Sequence, residues 1–182
     1  MPIVPDTKDW TWVIEQRCAE CGFDASAVAR DELGTLVREN AAVWVKVLDG
    51  PGPLRERPSD DRWSALEYAC HVRDVFLLYD ERTRLMLDQT DPQFASRDQD
   101  AAAVEGRYNE QDPAAVGEEL VAAAGAMAAT LDGVGDRWDR TGRRDDGARF
   151  TIDSLARYMI HDPVHHVDDV ANGYAALGER GG

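Results

Sequence analysis

The stretch Tyr158-Met159-Ile160-His161-Asp162-Pro163-Val164-His165-His166-Val167-Asp168-Asp169 holds three of the four histidines in a chain of 182 residues, and the fourth is His71. If the stretch is helical, His161 and His165 are i and i+4, so both imidazoles project from one face about one turn apart. Side chains so placed can reach a single ion. Zinc-like ions take imidazole nitrogens at ~2 Å, and catalytic sites keep three protein ligands and an open position. His71, delivered by another helix, is the candidate third ligand. The pair can equally be a polar helix face or a half-buried, hydrogen-bonded pair. Pro163, between the two histidines, removes a helix hydrogen bond at a cost of ~3 kcal/mol, which points to a helix end or to a bend kept for a site.

Other reactive residues are sparse. Cys18 and Cys21 form a CxxC with no second CxxC or CxxH after it. That leaves three readings open: inert thiols in a turn, a redox pair, or an incidental metal site. Asp162 and Asp168 could orient an imidazole through its free N–H, and Asp168 is also a candidate contact to a bound cofactor. Arg82 or Arg157 could hold a carboxylate of a substrate. His166 lies nearer the apolar margin and reads as structural.

The composition narrows the class. With 35 acidic against 20 basic side chains and a formal net charge of −15, the surface field repels phosphate backbones, so binding to nucleic acid is not expected. No apolar run reaches the ~20 residues of a membrane span, and the N-terminus lacks the pattern of a signal peptide. A cytoplasmic protein is expected, with its cysteines mostly reduced.

The elements that must position these residues can be taken in order. Residues 1–25 read as an irregular leader, with Trp10 and Trp12 alternating as in a short extended segment. A first helix spans about Ser26 to Leu48 on a stripe of Leu33, Leu36, Val37, Trp44, Val47 and Leu48, and Gly50-Pro51-Gly52-Pro53 ends it. A second opens at the capping box Ser64-Ala65-Leu66-Glu67 and carries His71 to about Asp88, with Glu67, Asp74, Glu81 and Asp88 on its wet side. Residues 91–111 read as a polar loop with some helical potential. A third helix follows from Pro113, a favoured first helical residue, to Leu131. Residues 138–151 form a small hairpin around Asp145-Asp146-Gly147. The fourth helix opens near Thr151 or Asp153 and runs to about Leu177. On it His161, His165, Asp168 and Asn172 form a polar stripe beside the apolar line, facing a groove. The fold class is all-α, one domain over residues 1–182, and bundles of this kind build metal sites from side chains on facing helices.

Two of these segments carry a resemblance. Trp63-Ser64-Ala65-Leu66-Glu67-Tyr68-Ala69-Cys70-His71-Val72 resembles the first motif of the DinB-like metalloenzyme bundles, and His161-Asp162-Pro163-Val164-His165-His166-Val167-Asp168 resembles the second. The resemblance covers nearly the whole chain in helix order and spacing. It implies an up-down-down-up four-helix bundle, often a homodimer, with a divalent ion (zinc ahead of nickel) on His71, His161 and His165. It further implies thiol-dependent transferase or isomerase chemistry, with mycothiol or a similar low-molecular-weight thiol as cosubstrate and a small electrophile as substrate. In the related mycothiol-dependent maleylpyruvate isomerases a Glu stands at the place of His161, so maleylpyruvate is not expected as the substrate. Two rivals remain open: hydrolysis by an activated water, and a non-catalytic metal-binding dimerisation bundle.

Overall fold

Two helices flank the Pro-rich connector of residues 50–62: α1, Leu33–Leu48, and α2, Ala65–Asp88. The structure, a computed structural model, describes Ile3 and residues 10–180, the last two without their side chains. Positions 1, 2 and 4–9 of the expected leader therefore lie outside the described residues. α1 starts at the first residue of its apolar stripe, seven residues after the expected start at Ser26. Short 3-10 turns at Ala25–Ala27 and Arg30–Glu32 come first. Asp24 caps the first by accepting from the Ser26 N–H (3.1 Å), and the Glu32 carboxylate accepts from the Ala29 N–H (3.3 Å). Such local side-chain bonds compete with helix propagation.

The capping box of α2 forms as expected. Ser64 Oγ accepts from the Glu67 N–H (3.2 Å), and the Glu67 carboxylate accepts from the Ser64 N–H (2.9 Å). Glu67 itself does not sit on a wet face. It is only 3% exposed, and the guanidinium of Arg57 in the connector binds both its carboxylate oxygens, one at 2.8 Å. The heptad spacing misplaced it because the connector folds back over the start of the helix. Burial pushes the Glu67 carboxyl up, but Arg57 and the Ser64 amide outweigh it and hold the pKa below the ordinary 4.5. A group whose folded pKa is lowered stabilises the fold above its unfolded pKa and loses that contribution as pH falls through the folded value. Glu67→Ala, which loses both the cap and the pair, should cost about 2–4 kcal/mol at neutral pH. Glu67→Gln keeps the cap and should cost less, with a flatter decline below pH 4.5. Denaturant melts of both variants across pH 3–7 check this.

After α2 come a two-residue strand β1, Gln93–Phe94, which was not expected, and a short helix α3, Gln99–Glu105, in the polar segment read as having some helical potential. Asp98 caps α3 by accepting from the N–H groups of Asp100 and Ala101. Helix α4, Pro113–Asp132, opens with Asp112 accepting from the Ala115 N–H (2.9 Å) and Pro113 in its first turn. α4 is long and apolar enough by length and composition to cross a membrane, which corrects the expectation that no run approaches a span. Here its face of Val116, Leu120, Ala124, Met127 and Leu131 is buried in the bundle. The expected hairpin is present as β2, Thr141–Arg144, and β3, Arg149–Thr151. It supplies two strands of a three-stranded sheet, because β1 adds in parallel to β2.

Helix α5, Ile152–Arg180, follows β3 directly. Thr151 and Ser154 exchange bonds at its start: Ser154 Oγ accepts from the Thr151 N–H (2.9 Å), and Thr151 Oγ1 accepts from the Ser154 N–H (3.1 Å). α5 runs through Pro163 without a break. The long helices α1, α2, α4 and α5 make a four-helix bundle, in which α4 packs along both α1 and α2, and α5 along both α2 and α1. One continuous core includes Trp44, Phe76, Leu120, Met127, Met159 and Ile160. At its centre the Trp44 indole N–H donates to the Pro163 carbonyl (3.1 Å).

Candidate metal centre

Proline and packing fix how α5 meets α2. Residues 161 and 165 form one i, i+4 pair, and residues 162 and 166 form another, turned by about 100° around the helix axis. The second pair faces α2. His71 Nε2 lies 3.0 Å from Asp162 Oδ2, the His71 and His166 ring centres are 5.2 Å apart, and Asp162 Oδ1 is 3.4 Å from His166 Nε2. One ligating atom from each of His71, Asp162 and His166 falls within 4.8 Å of the others. The rings of Trp63 and Tyr68 pack beside them, Trp63 at 5.1 Å from His71 and Tyr68 at 4.7 Å from His166.

The expected set of His71, His161 and His165 is therefore divided. His71 gathers with Asp162 and His166, while His161 and His165 gather with Cys18 and Cys21 on the other side of the helix. Reading the HxxxH alone hid the Asp-x-x-x-His that overlaps it by one residue. His166, expected to be structural, and Asp162, expected to orient a ligand, are the residues that meet His71.

Three observations fit the group His71, Asp162 and His166 to a divalent cation. The donor set, two imidazoles and a carboxylate, is that of open, reactive metal sites. His166 Nδ1 is 2.8 Å from Asp169 Oδ2, the carboxylate-to-histidine contact that orients a metal-ligating ring. And His166 Nε2, on the side facing Asp162, is buried with no hydrogen-bond partner, an unusual state for a buried polar atom. The electrostatics agree. Burial pushes His166 down, but the carboxylates of Asp162 and Asp169 outweigh it and raise the pKa to about 9. Burial likewise opposes ionisation of Asp162, yet His71 and His166 hold it well below the ordinary carboxylate range. The pocket stabilises positive charge at the point where the three side chains meet.

The group forms part of the wall of a cleft of about 820 Å³, to which Arg82, Arg144 and Tyr158 also contribute. Arg82, expected to bind substrate or cofactor, lies in the wall of this cleft. It is 4% exposed, with its guanidinium 5.1 Å from the Tyr79 ring centre and 4.9 Å from that of Phe94. It donates to the Ala95 carbonyl (2.6 Å), and its Nε is buried without a partner. Burial lowers its pKa, so an anion beside it would be favoured. Asp168 is not in the cleft wall. Its carboxylate accepts from Asn172 (2.9 Å), and the neighbouring Asp169 takes the expected place. Arg157 is engaged elsewhere, paired with Asp153 and donating to the carbonyls of Ala25 and Val28.

The leader forms another part of the wall. Trp10 and Trp12 stack with centres 5.9 Å apart, but through a 3-10 turn over Thr11–Ile14 and not through the expected extended segment. His161 is buried, and burial together with the neighbouring His165 lowers its pKa to about 4, so its ring is neutral. Desolvation pushes the Cys21 thiol up to about 11. The sequence signal for this gathering was present: C-x2-C and H-x3-H spacings are those of zinc ligand pairs, hidden by the 139 residues between Cys21 and His161.

Comparison with known proteins gives a family match and a fold match. Residues 34–170 match the family model described as the DinB superfamily, a span that includes His71, Asp162 and His166. A solved structure, YfiT from Bacillus subtilis, superposes with a TM-score of 0.74 over 84% of this chain and 91% of its own, at 19% identity. It is described as a probable metal-dependent hydrolase with an unusual four-helix bundle topology; at that identity the likeness is one of fold. No curated protein matches the chain.

Proposed function

We propose, from the premise that this chain belongs to the DinB superfamily, that it is a divalent-metal-dependent enzyme acting through a low-molecular-weight thiol on a small anionic electrophile. The observation that carries the metal assignment is the buried Nε2 of His166, which makes no hydrogen bond, lies 3.4 Å from Asp162 Oδ1 and belongs to a ring backed by Asp169. When bound, the ion supplies Lewis acidity and lowers the pKa of a thiol or water at its open position. His71, Asp162 and His166 hold it. Asp169 keeps the Nδ1 proton of His166 in place, so that Nε2 presents its lone pair inward. The rings of Trp63 and Tyr68 keep water from the back of the imidazoles. Arg82, with a free N–H and a desolvated charge, pairs with a carboxylate of the substrate and fixes its orientation.

One feature supports a thiol cosubstrate: a cleft of about 820 Å³ is in the range that takes a cofactor-sized ligand, roughly 300–1,000 Å³. The second reading, hydrolysis, is favoured by one observation: the fold neighbour YfiT is described as a probable metal-dependent hydrolase. Metal-loaded protein is to be assayed with mycothiol, bacillithiol or glutathione and monobromobimane, and separately with activated esters and amides without thiol. Turnover that requires a thiol and disappears in His71→Ala is the expected result. Ester or amide hydrolysis with no thiol-dependent turnover would establish the second reading instead.

A further inference from the structure

A second set of ligating atoms converges where two residues from outside the span shared with the family meet two from within it. Cys18 and Cys21 precede residue 34, where that span begins, and meet the HxxxH face of α5. Sγ of Cys18 is 3.7 Å from Nδ1 of His165, and Sγ of Cys21 is 3.8 Å from Nε2 of His161. One ligating atom from each of the four residues lies within 4.8 Å of the others. We propose that Cys18, Cys21, His161 and His165 form a structural zinc site that fastens the N-terminal segment to α5, separate from the centre at His71.

The distances suit the ion. With zinc–sulfur bonds near 2.3 Å and zinc–nitrogen bonds near 2.0 Å, neighbouring corners of a tetrahedron are about 3.5 Å apart. The two sulfur–nitrogen separations exceed this by a few tenths of an ångström, so a small contraction closes the site. Two thiolates and two imidazoles complete four-coordination from protein alone, which leaves no open position and makes the site structural in kind. Cys18, His161 and His165 are buried.

The turn that presents the thiols is built for the purpose. Gly22 N–H donates to the Cys18 carbonyl (2.9 Å), and Cys18 N–H donates to the Phe23 carbonyl (2.8 Å). Gly22 has φ +75°, a left-handed conformation that a side chain would disfavour, and it turns the chain so that the backbone of Phe23 comes back beside the Cys21 thiol and favours its ionised form. An N–H aimed at sulfur stabilises a thiolate ligand. On the histidine side, Nδ1 of His165 faces Cys18 while Nε2 lies 3.7 Å from both Glu20 and Asp169, carboxylates placed to orient the ring. Trp10 covers the corner, its ring centre 5.6 Å from that of His161 and 5.0 Å from that of His165. Because Trp10 and Glu20 also line the cleft, the ion would hold one wall of the reaction chamber in place.

Cobalt(II) distinguishes the two centres, since only this one offers sulfur. Reduced, metal-free full-length protein is titrated anaerobically with Co²⁺, and the zinc content of the protein as purified is counted. The expected result is a sulfur-to-cobalt charge-transfer absorption saturating at one equivalent, and two zinc ions per chain. In Cys18→Ser/Cys21→Ser the absorption should vanish and the count fall from two to one. In His71→Ala the absorption should persist while the count again falls to one, so a failure of the first centre is not mistaken for a failure of this one. His161→Ala, which keeps both thiols, should shift the absorption and weaken Co²⁺ binding at least tenfold, with helical circular dichroism showing that the chain is folded. Reduced wild-type protein without sulfur-to-cobalt absorption, or a zinc count unchanged in the double cysteine variant, would overturn the assignment.

Discussion

Replacing His166 by alanine is expected to strip the ion from its site with His71 and Asp162 and to abolish turnover, with the bundle still folded. Loss of an outer partner of a metal ligand typically costs 10–100-fold in affinity, so removing the ligand itself should exceed the upper end of that range, about 100-fold or more. Asp169→Asn is the graded comparison. It keeps the shape beside His166 Nδ1 (2.8 Å) and removes the charge, so it should fall within the 10–100-fold range. Competition with a chromophoric chelator gives both affinities, and steady-state turnover at saturating metal separates weakened binding from impaired chemistry. Retention of metal and activity by His166→Ala, with loss of both in His161→Ala, would return the site to the ligand set read from the HxxxH alone.

The second large effect concerns stability. Trp44 is fully buried, and its indole N–H donates to the carbonyl of Pro163. Pro163 has no N–H, so the Met159 carbonyl loses its partner within the helix, and α5 needs support from outside at this turn. Trp44→Ala should cost about 4 kcal/mol, the middle of the range for truncating a buried aromatic. For a chain of this length that is a fall of about 10 °C in Tm. Trp44→Phe retains most of the packing and removes one hydrogen bond to a carbonyl that keeps its partner within the helix, at about 0.5–1.5 kcal/mol. Thermal unfolding of both variants gives the numbers. The difference between them isolates the hydrogen bond from the bulk of the ring. Because residues 161–166 straddle this turn, Trp44→Phe should also loosen metal binding, although it touches no ligand.

Much of the scaffold was legible because local rules acted alone. The capping box at Ser64, the Pro113 start and the 138–151 hairpin rest on bonds between neighbours in sequence, and each appears within a few residues of its expected place. Where the expectation failed, a distant segment had intervened. Glu67 looked solvated until Arg57 folded over it. The 91–111 loop gained a strand because β2 offered a free edge. The site was legible in residue type and in its two parent helices, but not in register. Two i, i+4 pairs overlap at 161–166, and only the angle at which α5 meets α2 decides which one faces His71. Periodicity puts residues on faces; it does not say what lies opposite. The same limit hid the cysteines, whose partners are 140 and 147 residues away.

Asp169 shows what such dense placement implies for inheritance. One of its oxygens lies 2.8 Å from His166 and 3.7 Å from His165, and the other pairs with Arg62 of the connector. A single codon change there is felt in three places: at the buried centre, at the cysteine-lined corner and at the segment that covers the start of α2. In genetic terms the position is pleiotropic, and the phenotype of any allele at Asp169 is the sum of three losses that no one contact explains.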